Sequence, residues 1–476
     1  MEYQLLTREV GCFTTAAMPT SEERFSAEAV VPDTLPDADR LLDTWGELSL
    51  WRLDLNDGSA ELEGEIRCDV LYQDEAGTLR SFPVQVPMLL RLRDPGLEPG
   101  LRPFLELTVT ELTPQLMNTR KVRLAARVRA ALTAWRADTL TLSESAEGEG
   151  VCQRRTRVCF RPVTAVEEQV FTACGTAPIA AVPDRILARR SEVCLDEVQC
   201  MGEKLILQGR VRVHLLSCAP EPAAETLEIP FSQLIDTLSP EEITAAQVQV
   251  HLTSAVLRPL PEEQAVEIEA HLAAQAVCRG SAEAEVLTDA YSNRVLLERE
   301  TETLTLPMPG TVEPVHLMAE GELPCETAGR TIVASRAVLC GSGTAEAVVL
   351  RRDESGQYSA LRQDLRYEAP EDCAVRSAAA GTLSVTPTAE GLQLRLPVTL
   401  ETERRETMTL TQITALAGDA PNEAAAAMPS VTLLRIEGAP DLWEIAKSHA
   451  STLEAIRAAN PEDTERTYLV VPKSVM

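Results

Sequence analysis

Gly64-Glu65-Ile66-Arg67-Cys68-Asp69-Val70-Leu71 places a small or apolar residue at every second position and ends on two apolar residues in succession. An alternation of period two is what a β-strand with one buried face requires, because successive side chains point to opposite sides of the sheet. The same pattern returns as Gly209-Arg-Val211-Arg-Val213-His-Leu215-Leu216 and as Gly343-Thr-Ala345-Glu-Ala347-Val-Val349-Leu350, with the glycines 145 and 134 residues apart. That spacing is the size of a domain, not of a solenoid unit.

The surroundings of each copy agree. Asp74-Glu-Ala-Gly77 follows the first and Asp353-Glu-Ser-Gly356 the third, both suited to hairpin turns, while a Pro-rich turn follows the second. Glu47-Leu48-Ser-Leu50 and Glu192-Val193-Cys-Leu195 precede their glycines by the same interval, and Asn56-Asp57-Gly58 makes the intervening turn in the first copy. Further alternating runs follow downstream: Leu105 to Val109 with Val122 to Val128, Val248 to Leu252 with Val266 to Leu272, and Leu383 to Val385 with Leu392 to Leu400. Many short strands separated by Pro and Gly predict a mainly β chain, with a sandwich or partly open barrel in each copy. Composition sets the expected boundaries at 1–142, 151–290 and 291–417. The acidic stretch 143–150 reads as a linker, and 418–430 reads as a flexible tether to a last module at 431–476.

The last module has a different pattern. In Asp441-Leu-Trp443-Glu-Ile-Ala-Lys-Ser-His-Ala-Ser451-Thr-Leu-Glu-Ala-Ile456-Arg-Ala-Ala-Asn460-Pro461, Asp441 with Glu444 and Ser451 with Glu454 have the spacing of helix capping boxes. Two short helices are therefore predicted, the second stopped by Asn460-Pro461. Leu433-Leu-Arg-Ile436 before them and Tyr468-Leu-Val-Val471 after them are short β runs, giving a β-α-α-β unit.

This unit resembles a LysM module, on the strength of Leu442-Trp443-Glu444-Ile445-Ala446-Lys447 and Ala455-Ile456-Arg457-Ala458-Ala459-Asn460. Where that family carries Gly-Asp-Thr in its first loop, the chain has Ala439-Pro440-Asp441, and where it carries Tyr-Gly, the chain has His449-Ala450. In glycan-binding members the first loop lies against N-acetylated sugars. The resemblance thus marks Ala439, Pro440, Asp441, Leu442, Trp443, Asn460 and Pro461 as the candidate surface for a partner or a glycan. Trp443 suits either a stacking contact or the module's own core, the core being the commoner place for it.

The repeated β unit is similar to SPOCS domains of bacterial spore-coat and germination proteins. Val31-Pro32-Asp33-Thr34-Leu35-Pro36-Asp37, Leu41-Leu42-Asp43-Thr44, Val70-Leu71-Tyr72 and Asn118-Thr-Arg120-Lys121-Val122 carry the likeness, which thins in the second and third copies. Three such domains followed by LysM is the layout of clostridial coat-morphogenesis proteins. That layout implies a non-enzymatic scaffold at the forespore surface, on the mother-cell side and in the coat, whose LysM module docks on a coat scaffold ATPase. The alternative partner is the peptidoglycan of cortex or wall.

Composition excludes other classes. Seventy-three acidic against 44 basic residues give a formal charge of −29, which disfavours nucleic acid and anionic membrane surfaces. No apolar run is long enough to span a bilayer, and no secretory-type leader opens the sequence, so a cytosolic site of synthesis is expected. The twelve Cys form no C-x-x-C pair and the five His have no ligand spacing, so reduced thiols and no metal are expected. Phosphate-loop, zinc-protease and nucleophile-elbow motifs are missing, so neither enzyme nor cofactor is predicted. Asp33 and Asp37 read as turn chemistry, not an acid–base pair. Arg123, Arg127 and Arg129 share one strand face and read as a solvated stripe or as a contact for an acidic partner.

Overall fold

A computed structural model of the chain describes residues 3–239, 242–308, 312–340, 343–370, 373–404, 407–436, 440–461 and 468–474. It is mainly β, built of antiparallel sheets with no closed barrel. The first unit runs β1 (Gln4–Ala17), β2 (Thr20–Val30), β3 (Ala38–Asn56), β4 (Ser59–Asp74), β5 (Leu79–Arg93), β6 (Arg102–Asn118) and β7 (Lys121–Glu147). The second runs β8 (Val151–Phe160), β9 (Val163–Pro178), β10 (Arg185–Met201), β11 (Lys204–Cys218), β12 (Pro222–Asp236), β13 (Ala245–Leu260), β14 (Ala265–Arg279) and β15 (Ala282–Ser292). The third runs β16 (Glu298–Pro307), β17 (Val312–Pro324), β18 (Arg330–Leu339), β19 (Thr344–Asp353), β20 (Tyr358–Arg366), β21 (Ala374–Ala380), β22 (Ser384–Pro387), β23 (Gly391–Glu403) and β24 (Thr407–Ala417).

Each unit pairs its strands in the same way. A three-stranded meander (β3-β4-β5, β10-β11-β12, β18-β19-β20) packs on a second sheet (β2-β7-β6, β9-β14-β13, β17-β23 with β21 and β22), which makes a sandwich. The unit's first and last segments pair with each other as a ribbon: β1 with the C-terminal half of β7, β8 with β15, and β16 with β24. The last two are sheets of their own, while the first continues the β2-β7-β6 sheet and touches β9 through Phe13 and Val163. The acidic stretch expected as a linker is part of this ribbon, because Ser143 to Glu147 continue β7 and pair with Thr7 to Gln4.

The apolar doublets explain how the units assemble. Val70, Leu215 and Val349 face their own sandwich cores. Their neighbours Leu71, Leu216 and Leu350 point out of the opposite sheet face and meet in one cluster with Leu42, Trp45, Leu187, Ala188, Ala334 and Tyr358. A second shared cluster joins the three ribbons through Val10, Leu142, Phe160, Val286, Leu304 and Leu410. The units therefore surround an axis of approximate threefold symmetry, with a cleft of about 1110 Å³ on it between the edges of the sandwiches.

Gly64 and Gly209 are required by close approach: a Cβ would lie 2.2 Å from the Ser49 carbonyl oxygen and 2.5 Å from that of Cys194, where the neighbouring strand bulges. Gly343 serves a different purpose, taking φ of 85° just before β19. Arg120 closes the Val31–Asp37 turn, donating to Asp37 at 2.6 Å and to the Val31 carbonyl at 2.9 Å, so Asp33 and Asp37 are turn residues. The Arg stripe on β7 is flanked by acids, with Arg127 3.3 Å from Glu111 and Lys121 2.6 Å from Glu28. All twelve cysteines are free, and among the described residues no cluster of metal-ligating side chains occurs. Among the described residues no helix is long and apolar enough to cross a membrane.

The last module is β-α-α-β as expected: β25 (Val431–Arg435), α2 (Leu442–Ser448), α3 (Leu453–Ala459) and β26 (Tyr468–Pro472), with β25 antiparallel to β26. The 418–430 segment before it is not a loose tether. It carries a one-turn helix α1 (Glu423–Ala426), capped by Asn422, whose amide also donates to the Ser292 carbonyl at 2.9 Å. Lys473 donates to the Ala426 carbonyl at 2.7 Å, closing the segment from the other side.

Candidate partner-docking site

The caps set the geometry of the module. Asp441 accepts from the backbone N–H of Trp443 at 2.9 Å and starts α2. The cap of α3 is Thr452, which accepts from Ala455 N–H at 3.1 Å, and not Ser451 as the spacing had suggested. Ser451 is fully buried, and its hydroxyl is committed to the Pro472 carbonyl. Asn460 stops α3 and ties it to β26 by accepting from Val470 N–H at 2.9 Å while donating to the Ile456 and Val470 carbonyls.

The module is seated on the ribbon of the second unit. Trp443 is 5% exposed; its ring packs edge-on against Tyr291 with centroids 5.0 Å apart, and its indole N–H donates to Asp289 at 2.8 Å. Lys447 donates to the same Asp289 oxygen at 2.7 Å, and Arg299 pairs with the other. Burial pushes the Asp289 carboxyl up, but Lys447 and Trp443 outweigh it, so the group sits below the ordinary carboxylate value. Tyr291 donates to the Ser451 carbonyl at 2.9 Å, Asn293 donates to the Ser451 and Ser474 carbonyls, and Arg154 lies 3.0 Å from Asp441.

The seven residues marked by the sequence do not form one open surface. Asp441 and Trp443 face the second unit, Leu442 is half-buried in the cluster that joins module to unit, and Asn460 is spent holding β26. Pro440 is half-buried and Pro461 exposed. Ala439 lies outside the described residues.

The other half of the contact, Asp289, Tyr291 and Asn293, carries no local signal, since it reads as the end of an ordinary strand. The ribbon register shows why the module sits there. Each ribbon bulges at the same place, which makes Asp289 equivalent to Ser145 in the first unit and Ala415 in the third, and Tyr291 equivalent to Glu147 and Ala417. Of the three ribbons, the second alone supplies both a carboxylate for Trp443 and Lys447 and an aromatic ring for the indole.

The seat leaves the outer face of the module's hairpin open. Val431, Leu433 and Tyr468 are 59%, 62% and 52% exposed. Directly paired residues of an antiparallel ladder share a face, so Val470 opposite Leu433 and Pro472 opposite Val431 extend this patch. Comparison with known protein families, characterised proteins and solved structures finds no match for the chain.

Proposed function

We propose that the protein is a non-enzymatic scaffold of sporulation that helps to assemble or anchor the spore coat at the forespore surface from the mother-cell cytosol, with the LysM-like module docking on a coat scaffold protein. The observation that carries this reading is the orientation of the module. Of its family-type ligand residues, Trp443 is turned onto Asp289 and Tyr291, Leu442 packs in the same cluster and Asp441 pairs with Arg154, while an apolar hairpin face of Val431, Leu433 and Tyr468 is turned outward. An apolar patch rimmed by Arg435 suits a protein surface. A sugar needs the family's first loop, where this chain has Ala439-Pro440-Asp441 in place of Gly-Asp-Thr. Likeness of the three sandwiches to SPOCS domains supplies the cellular setting.

The test is a fluorescent fusion of the full chain in sporulating cells, with Leu433→Asp and Val431→Asp on the outer face. The substituted chain is expected to fold and to lose its forespore localisation, and retention of normal localisation overturns the proposal. Co-sedimentation of the intact chain with insoluble peptidoglycan addresses the alternative partner. Saturable pelleting that survives both substitutions would assign the module to glycan.

A further inference from the structure

The threefold arrangement of the sandwiches leaves one half-buried arginine, Arg190, without the bidentate carboxylate that its counterpart has. Strand pairing sets the equivalences. Trp45, Arg190 and Arg336 occupy the same register position on β3, β10 and β18, opposite Asp69, His214 and Val348. Asp43, Ala188 and Ala334 share the next inward position, opposite the axial leucines Leu71, Leu216 and Leu350. Arg336 reaches out of the third unit to Asp43 of the first and binds it through two nitrogens, at 2.8 and 2.7 Å, while Arg362 adds a third bond at 3.1 Å.

Arg190 makes the same reach from the second unit into the third. There it meets the Ala337 carbonyl oxygen at 3.3 Å, and the position that corresponds to Asp43 is Ala334. Each arginine also has a carboxylate on its own unit at 3.6 Å, Glu346 for Arg336 and Glu192 for Arg190. The difference between the two is thus the missing bidentate acid. Burial pushes the Arg190 guanidinium down and the neighbouring Arg336 adds to this, with Glu192 opposing. A guanidinium in that position gains from a second anion.

Space for a ligand adjoins this arginine: Arg190 and Ala337 both line the axial cleft of about 1110 Å³.

We propose that the axial cleft binds a small carboxylate-bearing molecule, whose carboxylate pairs with Arg190 from the cleft side as that of Asp43 pairs with Arg336. The cleft is much larger than one carboxylate and leaves room for the rest of the ligand. The acid that the third unit lacks at Ala334 is thus supplied from outside the chain.

Thermal unfolding of the full chain, titrated with succinate against chloride of equal ionic strength, tests this. The wild-type Tm is expected to rise saturably, with affinity on the order of millimolar for one charged pair. Arg190→Met removes the response whatever its basal stability. Ala334→Asp supplies the missing carboxylate in place, so its Tm without succinate rises and its response falls about tenfold or more. An unresponsive wild type, an Arg190→Met chain that responds like wild type, or an Ala334→Asp chain that responds undiminished overturns the assignment.

Discussion

The indole N–H of Trp443 donates to Asp289 at 2.8 Å, across the boundary between the last module and the second sandwich. One carboxylate oxygen thereby holds both Trp443 and Lys447, two residues on successive turns of α2. Asp289→Ala removes both bonds and leaves a partly buried indole N–H and ammonium without an acceptor, a loss of about 2–4 kcal/mol. The expected outcome is release of the module while the sandwiches stay folded. Amide hydrogen exchange should then rise in α2 and in 289–293 but not in β4 or β11; unchanged protection of α2 would show that Asp289 does not hold the seat. Because the folded carboxyl lies below its usual value of 3.8, the contribution is complete above that pH and is lost as pH falls through the folded value.

Much of this architecture is legible in the sequence, and the exceptions have physical causes. Alternation in Gly64–Val70 and its two recurrences reports a half-buried strand, because one face of each meander lies on a core. The doublets Val70-Leu71, Leu215-Leu216 and Val349-Leu350 hold a second message, that the opposite face is buried as well, but two adjacent apolar residues do not say against what. Only assembly around the axis answers that. Ser451 and Thr452 are both good caps, and the choice between them is made by the Pro472 carbonyl, which lies far along the chain and takes the serine hydroxyl. Residues 418–430 have the composition of a tether, yet bonds from Asn422 and Lys473 to distant carbonyls pin them. The seat at Asp289 is invisible locally because an acid near a strand end is unremarkable until Trp443 is brought to it.

Asp43 ties the first unit to the third. It is buried, and it accepts from Arg336, from Arg362 and from the Trp45 indole at 3.1 Å. Burial pushes its carboxyl up, but Arg336 and Arg362 outweigh that and hold it below the ordinary value. Asp43→Ala strands a buried guanidinium and should cost about 3–5 kcal/mol. Urea unfolding is the measurement, with a fall in the transition midpoint expected. A loss below about 1 kcal/mol would mean that the pair is no better than an exposed one.

His251 and Gln275 of the second unit satisfy the backbone of Leu105 in the first, where β6 pairs with β7 on its other side. The Gln275 side-chain oxygen accepts from Leu105 N–H at 2.8 Å, and His251 Nε2 lies 3.0 Å from the Leu105 carbonyl oxygen, so the imidazole proton is on Nε2. His251→Ala should cost about 1–3 kcal/mol, because the Leu105 carbonyl is left buried and unpaired. His251→Gln, which keeps a donor, should recover part of it. Burial pushes the imidazole below its usual 6.5, with the Leu105 carbonyl and Glu168 opposing. Stability from the neutral ring is therefore complete above pH 6.5 and declines as pH falls below it. The slope of stability against pH just below 6.5 should flatten in His251→Gln, and an unchanged slope would assign the titration elsewhere.

Asp69 acts in the opposite sense at the same junction of first and second units. Its carboxylate accepts from Arg189 N–H at 3.0 Å, and Glu47 beside it accepts from Ser191 N–H at 3.0 Å. Burial pushes Asp69 up to about 6; the Glu47 charge adds to this, and Arg67 opposes it. Between its usual 3.8 and about 6 the folded chain holds a proton that the unfolded chain has released. Stability therefore falls as pH rises through that window and stays level above it. Asp69→Asn keeps an oxygen for Arg189 N–H and removes the charge, so at pH 7 it should stabilise the chain by on the order of 2 kcal/mol. At pH 4, where the native aspartate is already protonated in the folded state, the gain should nearly vanish. Urea midpoints of both chains at the two pH values measure this. A substitution that destabilises at pH 7, or helps equally at both, would show that the Asp69 charge is compensated by Arg67 and Arg189 and carries no cost.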